Sequence, residues 1–217
     1  YIDSYGGTRG TSGDVMRPQP FHIAEAASPA VLKAMGAGAV ARDFGLLGGS
    51  RTGISVYRNF YTGHVGTVAG INHGLIHKVH STTRVYAREP STVGGLVGLN
   101  TGVIRQSFWS ASGQVNSSSG TGTDFGTLVG RNRGVVEDTF AFTGFYLAAP
   151  SAIGDNAQGQ IRRVYVIDPS YQVTDNNVTR VLDEAAMKSA STFSGWDIGS
   201  EPDGDSIWRI HEGSSTP

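Results

Sequence analysis

Gly94-Gly95-Leu96-Val97-Gly98-Leu99-Asn100-Thr101-Gly102-Val103-Ile104 contains the phrase G-x-N-x-G, which this chain repeats. Close copies begin at Gly70 and Gly130, a copy with one inserted residue begins at Gly154, and an eroded copy begins at Gly49. Self-similarity at steps of roughly 20 to 30 residues is typical of repeat proteins. The repeated phrase therefore decides how the rest of the chain is interpreted.

Each phrase lies between short apolar segments, so we interpret it as a tight corner between two strands. Glycine adopts positive φ without a steric clash and asparagine tolerates the left-handed region, so both suit such a corner. One unit has too few apolar residues for a core of its own. Stacking the units as parallel strands would bury these residues in columns and pair each backbone with its neighbours.

We therefore predict an all-β protein, a right-handed parallel β-helix (solenoid) of about five rungs with short helices on its N-terminal side and in a C-terminal cap. A propeller blade is longer than the observed steps, and a β-sandwich needs no recurring phrase. The asparagines would form an amide ladder. The predicted turn ladder consists of Gly70, Asn72, Gly98, Asn100, Gly130, Asn132, Gly154 and Asn156.

The stretch from Gly94 to Ile104, followed by Ser107-Phe108 and Gly113-Gln114-Val115, resembles the GLUG motif. That motif occurs in filamentous-haemagglutinin-like exoproteins of the two-partner secretion type and in related biofilm-matrix adhesins. The resemblance covers about residues 45 to 167. It implies a secreted or surface-exposed rod from a Gram-negative bacterium that takes part in adhesion.

We predict four regions along the chain: a loop or linker at 1–20, an N-terminal strand and helix at 21–44, the GLUG-repeat β-helix at 45–172 and a cap at 173–217. Phe21-His22-Ile23 indicates the strand, and Ser28-Pro29 followed by Ala30 to Met35 indicates the helix. A short helix at about 182–190 is expected in the cap, with Trp196 and Trp208 covering the end of the last rung. We expect the chain to be a fragment of a longer protein.

Composition restricts the function classes. A net charge of −1 disfavours nucleic acid and anionic lipid as partners. With no cysteine, disulfides, cysteine-ligated zinc and thiol nucleophiles are excluded. No apolar run is long enough to span a membrane. We expect no cofactor.

Two groups of residues resemble metal sites, but neither is predicted to bind a metal. His73, His77 and His80 have helical spacing, but on a strand His77 and His80 would point to opposite faces. The acidic loop with Glu201, Asp203 and Asp205 is more typical of a solvated turn than of a calcium site.

Parallel β-helices also include polysaccharide lyases and glycosidases, so a carbohydrate-active enzyme is the first alternative. Hydrolysis requires two carboxylates facing one cleft, and the acidic residues here fall at unrelated phases of the repeat. We therefore predict no catalytic residues. A ligand-capturing surface module, for instance for haem-carrying host proteins, is the second alternative.

The remaining candidates suit glycan binding, because arginine bonds sugar carboxylates and aromatic rings stack on sugars. The candidate glycan-binding residues are Arg105, Arg131, Arg133, Arg162, Tyr61 and Trp109. The predicted function is a non-catalytic rod segment that mediates adhesion to polysaccharide or host glycans, or self-association into filaments.

Overall fold

A computed structural model describes residues 2–3, 32–46, 53–56, 63–87, 92–111, 115–117, 124–143, 151–167, 178–181, 184–199 and 205–217. These residues form an all-β protein in which the strands pair in parallel and helices are short. Phe21–Ile23, Tyr61, Glu201 and Asp203, which the sequence analysis singled out, lie outside the described residues.

The strands, in chain order, are β1 (Ile2–Asp3), β2 (Leu32–Met35), β3 (Val40–Leu46), β4 (Gly53–Val56), β5 (His64–Val65), β6 (Ala69–Asn72), β7 (Leu75–Ser81), β8 (Arg84–Ala87), β9 (Thr92–Gly94), β10 (Val97–Asn100), β11 (Val103–Arg105), β12 (Phe108–Ala111), β13 (Val115–Ser117), β14 (Phe125–Gly126), β15 (Val129–Asn132), β16 (Val135–Thr143), β17 (Ile153–Asp155), β18 (Gln160–Ile167), β19 (Val178–Val181), β20 (Ile198–Gly199) and β21 (Trp208–Arg209). Helix α1 (Glu184–Met187) and a 3-10 turn (Ala190–Thr192) precede β20.

We divide the repeats into five units: unit I (32–56), unit II (63–87), unit III (92–117), unit IV (124–143) and unit V (151–167). Equivalent strands of successive units pair with each other. The asparagine sheet has the order β17-β15-β10-β6-β2, and the long sheet joins β3, β7, β11 with β12, β16, β18 and β19. Two smaller sheets, β14-β9-β5 and β1-β4-β8-β13, pair the remaining strands of the units.

The register of these pairs follows the repeated phrase. Asn100 lies opposite Asn72 on one side and Asn132 on the other. In the long sheet, Ile104 lies opposite Ile76 and Val136 in the same way. Because equivalent residues are neighbours, apolar positions of successive units pack on one another and form one continuous core.

The glycines of the phrase have a different role from the one predicted. Neither Gly98 nor Gly130 has a positive φ, so a left-handed backbone is not the reason for glycine. A Cβ on Gly130 would lie 2.5 Å from Val93 N and 2.8 Å from Gly98 O. Glycine is required because the backbone of a neighbouring strand approaches too closely for any side chain.

The helix predicted from Ala30 to Met35 is wrong over the described residues. Leu32–Met35 is β2, and its register places Met35 opposite Asn72. The pairing with β6 stabilises an extended backbone there, so tertiary contacts override the helical propensity of this segment. Residues 32–40 therefore occupy the corner position of unit I.

The eroded phrase at Gly49 was consequently placed at the wrong phase. Gly53–Val56 pairs with Arg84–Ala87 in a different sheet, so it is not equivalent to the G-x-N-x-G corners. The inserted residue in the phrase at Gly154 was placed correctly: Gln160 lies opposite Val135 although the chain between Asn156 and Gln160 is longer.

The C-terminal segment contains the predicted short helix, and its strand β19 pairs with β18 at the end of unit V, whereas Trp196 and Trp208 lie on the flank. Trp208 contacts Phe108 and Phe140 at centroid distances of 6.3 and 5.6 Å, and Trp196 contacts Phe140 and Tyr165. These three partners belong to units III, IV and V, so the segment lies across the outer face of the long sheet. There it shields an apolar column of side chains from water.

Candidate ligand-binding surface

The four asparagines of the phrase form a ladder inside the protein. The Nδ2 of Asn72, Asn100 and Asn132 each donates to the Oδ1 of the next asparagine at 2.8 Å. Asn100 and Asn132 are fully buried, and their amides also donate to backbone carbonyls of the following strand. The ladder is a structural element, because Asn72, Asn100 and Asn132 are fully buried and no ligand can reach their amides.

A second corner, which the sequence analysis missed, lies six or seven residues after each asparagine. Its residues have positive φ values of 48 to 53°: Lys78, Gln106, Asp138 and Arg163. Each left-handed residue places two consecutive side chains on the outer surface before the strand continues. Four different residue types adopt this conformation, so residue type carries little signal. The available clue is the spacing from the asparagine, which is six residues in units II to IV and seven in unit V with its inserted residue.

This corner also corrects the interpretation of the histidines. His77 and His80 both lie on the outer face, because Lys78 interrupts the strict alternation of the strand. They do not converge: His77 bonds the side chain of Gln106, and His80 stacks on Phe108 at 4.9 Å. Among the residues that the structure describes, no group of His, Asp or Glu could hold a metal ion.

Arg131 lies apart from the other arginines that were predicted to bind glycans. It lies in the asparagine sheet, where its guanidinium forms salt bridges with Asp124 and with Asp155, the latter at 3.2 Å. Two carboxylates around one guanidinium leave this cluster without excess positive charge. Arg131 is therefore a poor candidate for attracting an acidic ligand.

Arg105 and Arg162 lie in one outer column of the long sheet, with Glu137 between them. Arg162 is exposed and bonds Gln160, whereas Arg105 is half-buried. Arg133 is exposed at the first corner, away from this column. The four predicted arginines thus belong to three separate locations.

Trp109 cannot stack on an external sugar, so its assignment as a glycan-binding residue is wrong. It is fully buried, and its Nε1 donates to the carbonyl of Thr83 at 3.0 Å. A Cβ on Gly95 would lie 2.7 Å from the indole. Units II and IV, which carry threonine at the position of Gly95, have Ser81 and Ala141 in place of the tryptophan.

Aromatic side chains nevertheless form an outer column. Phe108 and Phe140 stack at 4.8 Å with an interplanar angle of 6°, and Tyr165 occupies the next register position. Their faces cover one another, and the two C-terminal tryptophans cover their edges. Burial raises the pKa of the Tyr165 hydroxyl, although Arg163 opposes the shift. Because the protein's own rings cover most of this column, it is a poor platform for a sugar.

His64 lies in β5 and has a shifted pKa. It is half-buried, it bonds the hydroxyl of Thr92, and burial together with the charges of Arg131 and Arg133 lowers its pKa. Asp124 opposes this shift. The imidazole is therefore mostly neutral at pH 7.

In the part of the chain that the structure describes, no helix is long and apolar enough to cross a bilayer. No protein-family model, no curated protein and no solved structure matches this chain.

Proposed function

We propose that this chain is a right-handed parallel β-helix segment of a secreted bacterial surface adhesin or biofilm-matrix protein. The segment acts as a non-catalytic rod that adheres to glycans or to further copies of itself. The observation that carries the proposal is the in-register pairing of the repeated phrase, with the buried amide ladder running through units II to V.

The pairing supports the β-helix because four sheets contain one strand from each of several successive units. A chain that winds through equivalent positions in every turn produces this order. The right-handed sense follows the strong preference of parallel strand crossovers. The resemblance of Gly94–Ile104 to the GLUG motif supports the secreted adhesin.

A non-catalytic role agrees with the state of the carboxylates. Two nitrogens of Arg163 donate hydrogen bonds to the carboxylate of Asp138, one of them at 2.9 Å. This bonding raises the pKa of the Arg163 guanidinium. Asp124 and Asp155 both face Arg131. Glycoside hydrolysis requires an acid and a base that face one substrate, whereas these three carboxylates face arginine side chains of the protein itself.

The test is a glycan array with the purified 217-residue chain, together with sedimentation velocity over a range of protein concentrations. We expect retention on at least one glycan or concentration-dependent association. A monomer that retains no glycan would overturn the proposal. Each retained glycan is also incubated with the protein, and the appearance of new reducing or unsaturated ends would favour the enzyme alternative instead.

A further inference from the structure

We propose that an acidic polysaccharide with a carboxylate on most of its sugars binds along the outer column of the long sheet in units I to III. The surface, which we name the basic ridge, consists of Arg42, His77, Lys78, Arg105 and Gln106. This inference rests on the proposed function, because it names the class of glycan and the surface that holds it.

The register of the sheet aligns the ridge. Arg42 lies opposite His77, and His77 lies opposite Arg105, so three nitrogen-bearing side chains follow one another on neighbouring strands. Neighbouring strands are separated by about 4.8 Å. A linear polymer that lies along the stacking direction would therefore meet a donor at each strand.

The left-handed corner widens the ridge. Because Lys78 and Gln106 follow His77 and Arg105 at positive φ, each of these units presents two adjacent polar side chains to solvent. Lys78 is exposed, and the side chain of Gln106 bonds that of His77. Lysine and glutamine add donors beside the column.

Two side chains of the basic ridge differ from other positively charged residues in their ion pairing. Within the described residues, neither Lys78 nor Arg105 forms a salt bridge, whereas Arg131 and Arg163 are both bonded to carboxylates. A guanidinium that lacks an internal partner can bond a ligand carboxylate through two parallel N–H groups. The positive charges of Lys78 and Arg105 are thus available to an anionic ligand on this face.

The ridge ends at unit IV. Glu137 occupies the position of Arg105 there, and Asp138 occupies that of Gln106. An anionic chain that extends beyond unit III meets the negative charge of Glu137. The expected footprint is therefore three units, and the boundary itself can be moved by substitution.

Sodium polygalacturonate is the probe, with dextran as the neutral control, and affinity is measured by biolayer interferometry at low and high salt. Glu137 occupies in unit IV the position that Arg105 occupies in unit III. Arg105→Glu and Glu137→Arg therefore each introduce a residue type that the chain already has at the equivalent position. We expect Arg105→Glu to weaken binding at least tenfold and Glu137→Arg to strengthen it several-fold. High salt should weaken wild-type binding, because it screens exposed charges.

Arg209→Glu, on the C-terminal segment, is the matched charge reversal and should change affinity less than twofold. Lys78→Gln serves as a milder variant, since Gln106 shows that glutamine is tolerated at this left-handed position. Circular dichroism verifies that each variant is folded. A loss of affinity in Lys78→Gln would support the ridge even if Arg105→Glu unfolds.

Unchanged polygalacturonate binding in every folded ridge variant would overturn the ridge but leave glycan adhesion intact. Binding of dextran without binding of polygalacturonate would also overturn it. If the wild-type chain binds neither polymer, no glycan on the array, and no second copy, the ridge and the proposed function both fail.

Discussion

Units II to V each contain two corners that are built on opposite principles. The first, the G-x-N-x-G corner, uses nearly invariant residues, because Gly130 has no room for a Cβ and Asn132 is a buried link of the amide ladder. The second, at Lys78 and its equivalents, uses four different residues in one strained left-handed conformation.

This difference explains why the first corner repeats in sequence and the second does not. At the first corner, every unit contacts its neighbours through backbone and buried amides, so the residue type is restricted. At the second, the side chains point to solvent, and the backbone conformation is imposed by the strands on both sides. Only the first corner leaves a sequence phrase, and the second is free to vary for binding.

The largest expected effect is at the first corner. Gly130→Ala places a methyl group 2.5 Å from Val93 N, so neighbouring strands must separate. We expect the free energy of unfolding to fall by about 3 kcal/mol. Urea denaturation followed by circular dichroism measures it.

Gly36→Ala is the matched control for this substitution. A Cβ at Gly36 meets no atom within 4 Å, and its φ is not positive. Its stability should stay the same or rise by up to about 1 kcal/mol. Equal destabilisation of both variants would contradict the close-approach explanation.

The amide ladder should give the next largest effect. Asn100→Ala removes both ladder bonds, so the Nδ2 of Asn72 keeps only its longer bond to the Val103 carbonyl and the Oδ1 of Asn132 keeps only its bond from the Gly134 N–H. We expect a loss of about 2 kcal/mol. Asn156→Ala, at the half-buried end of the ladder, should cost less; an equal cost at both positions would show that ladder continuity is irrelevant.

Relief of strain at the second corner should raise stability. Lys78→Gly removes the clash that a Cβ experiences at φ 53°, and we expect a gain of about 0.5 kcal/mol. Glu137→Gly, one residue before the equivalent position, should lose a similar amount because its φ is not positive. If both variants lose stability, the left-handed residues are not strained.

A small pH effect is expected beside the first corner. The folded chain lowers the pKa of His64 below 6.5, so the unfolded chain binds this proton more readily. Stability contributed by neutral His64 is therefore complete above pH 6.5 and declines as the pH falls below it. Replacing His64 with glutamine should make unfolding less sensitive to pH between 7.5 and 5.5; an unchanged dependence would rule out His64 as the source.

The first corner, the stacking of strands that follows from it and the single-residue insertion after Asn156 were all predictable from the sequence. Sequence reasoning misplaced unit I, because β2 has no phrase and its helical propensity is overridden by pairing with β6. It also selected Trp109 for binding, because adjacent aromatic residues do not reveal which one faces inward. The second corner depends on backbone conformation, which residue type alone does not specify.

The most direct test of in-register stacking is a cysteine cross-link, since the chain has no cysteine of its own. Val103 and Val135 lie opposite each other on neighbouring strands, and parallel neighbours are close enough for a disulfide. The account predicts that Val103→Cys with Val135→Cys closes under mild oxidation. It predicts that Val103→Cys with Glu137→Cys, two residues out of register, stays reduced. Closure of the second pair without the first, seen by non-reducing electrophoresis and peptide mapping, would contradict it.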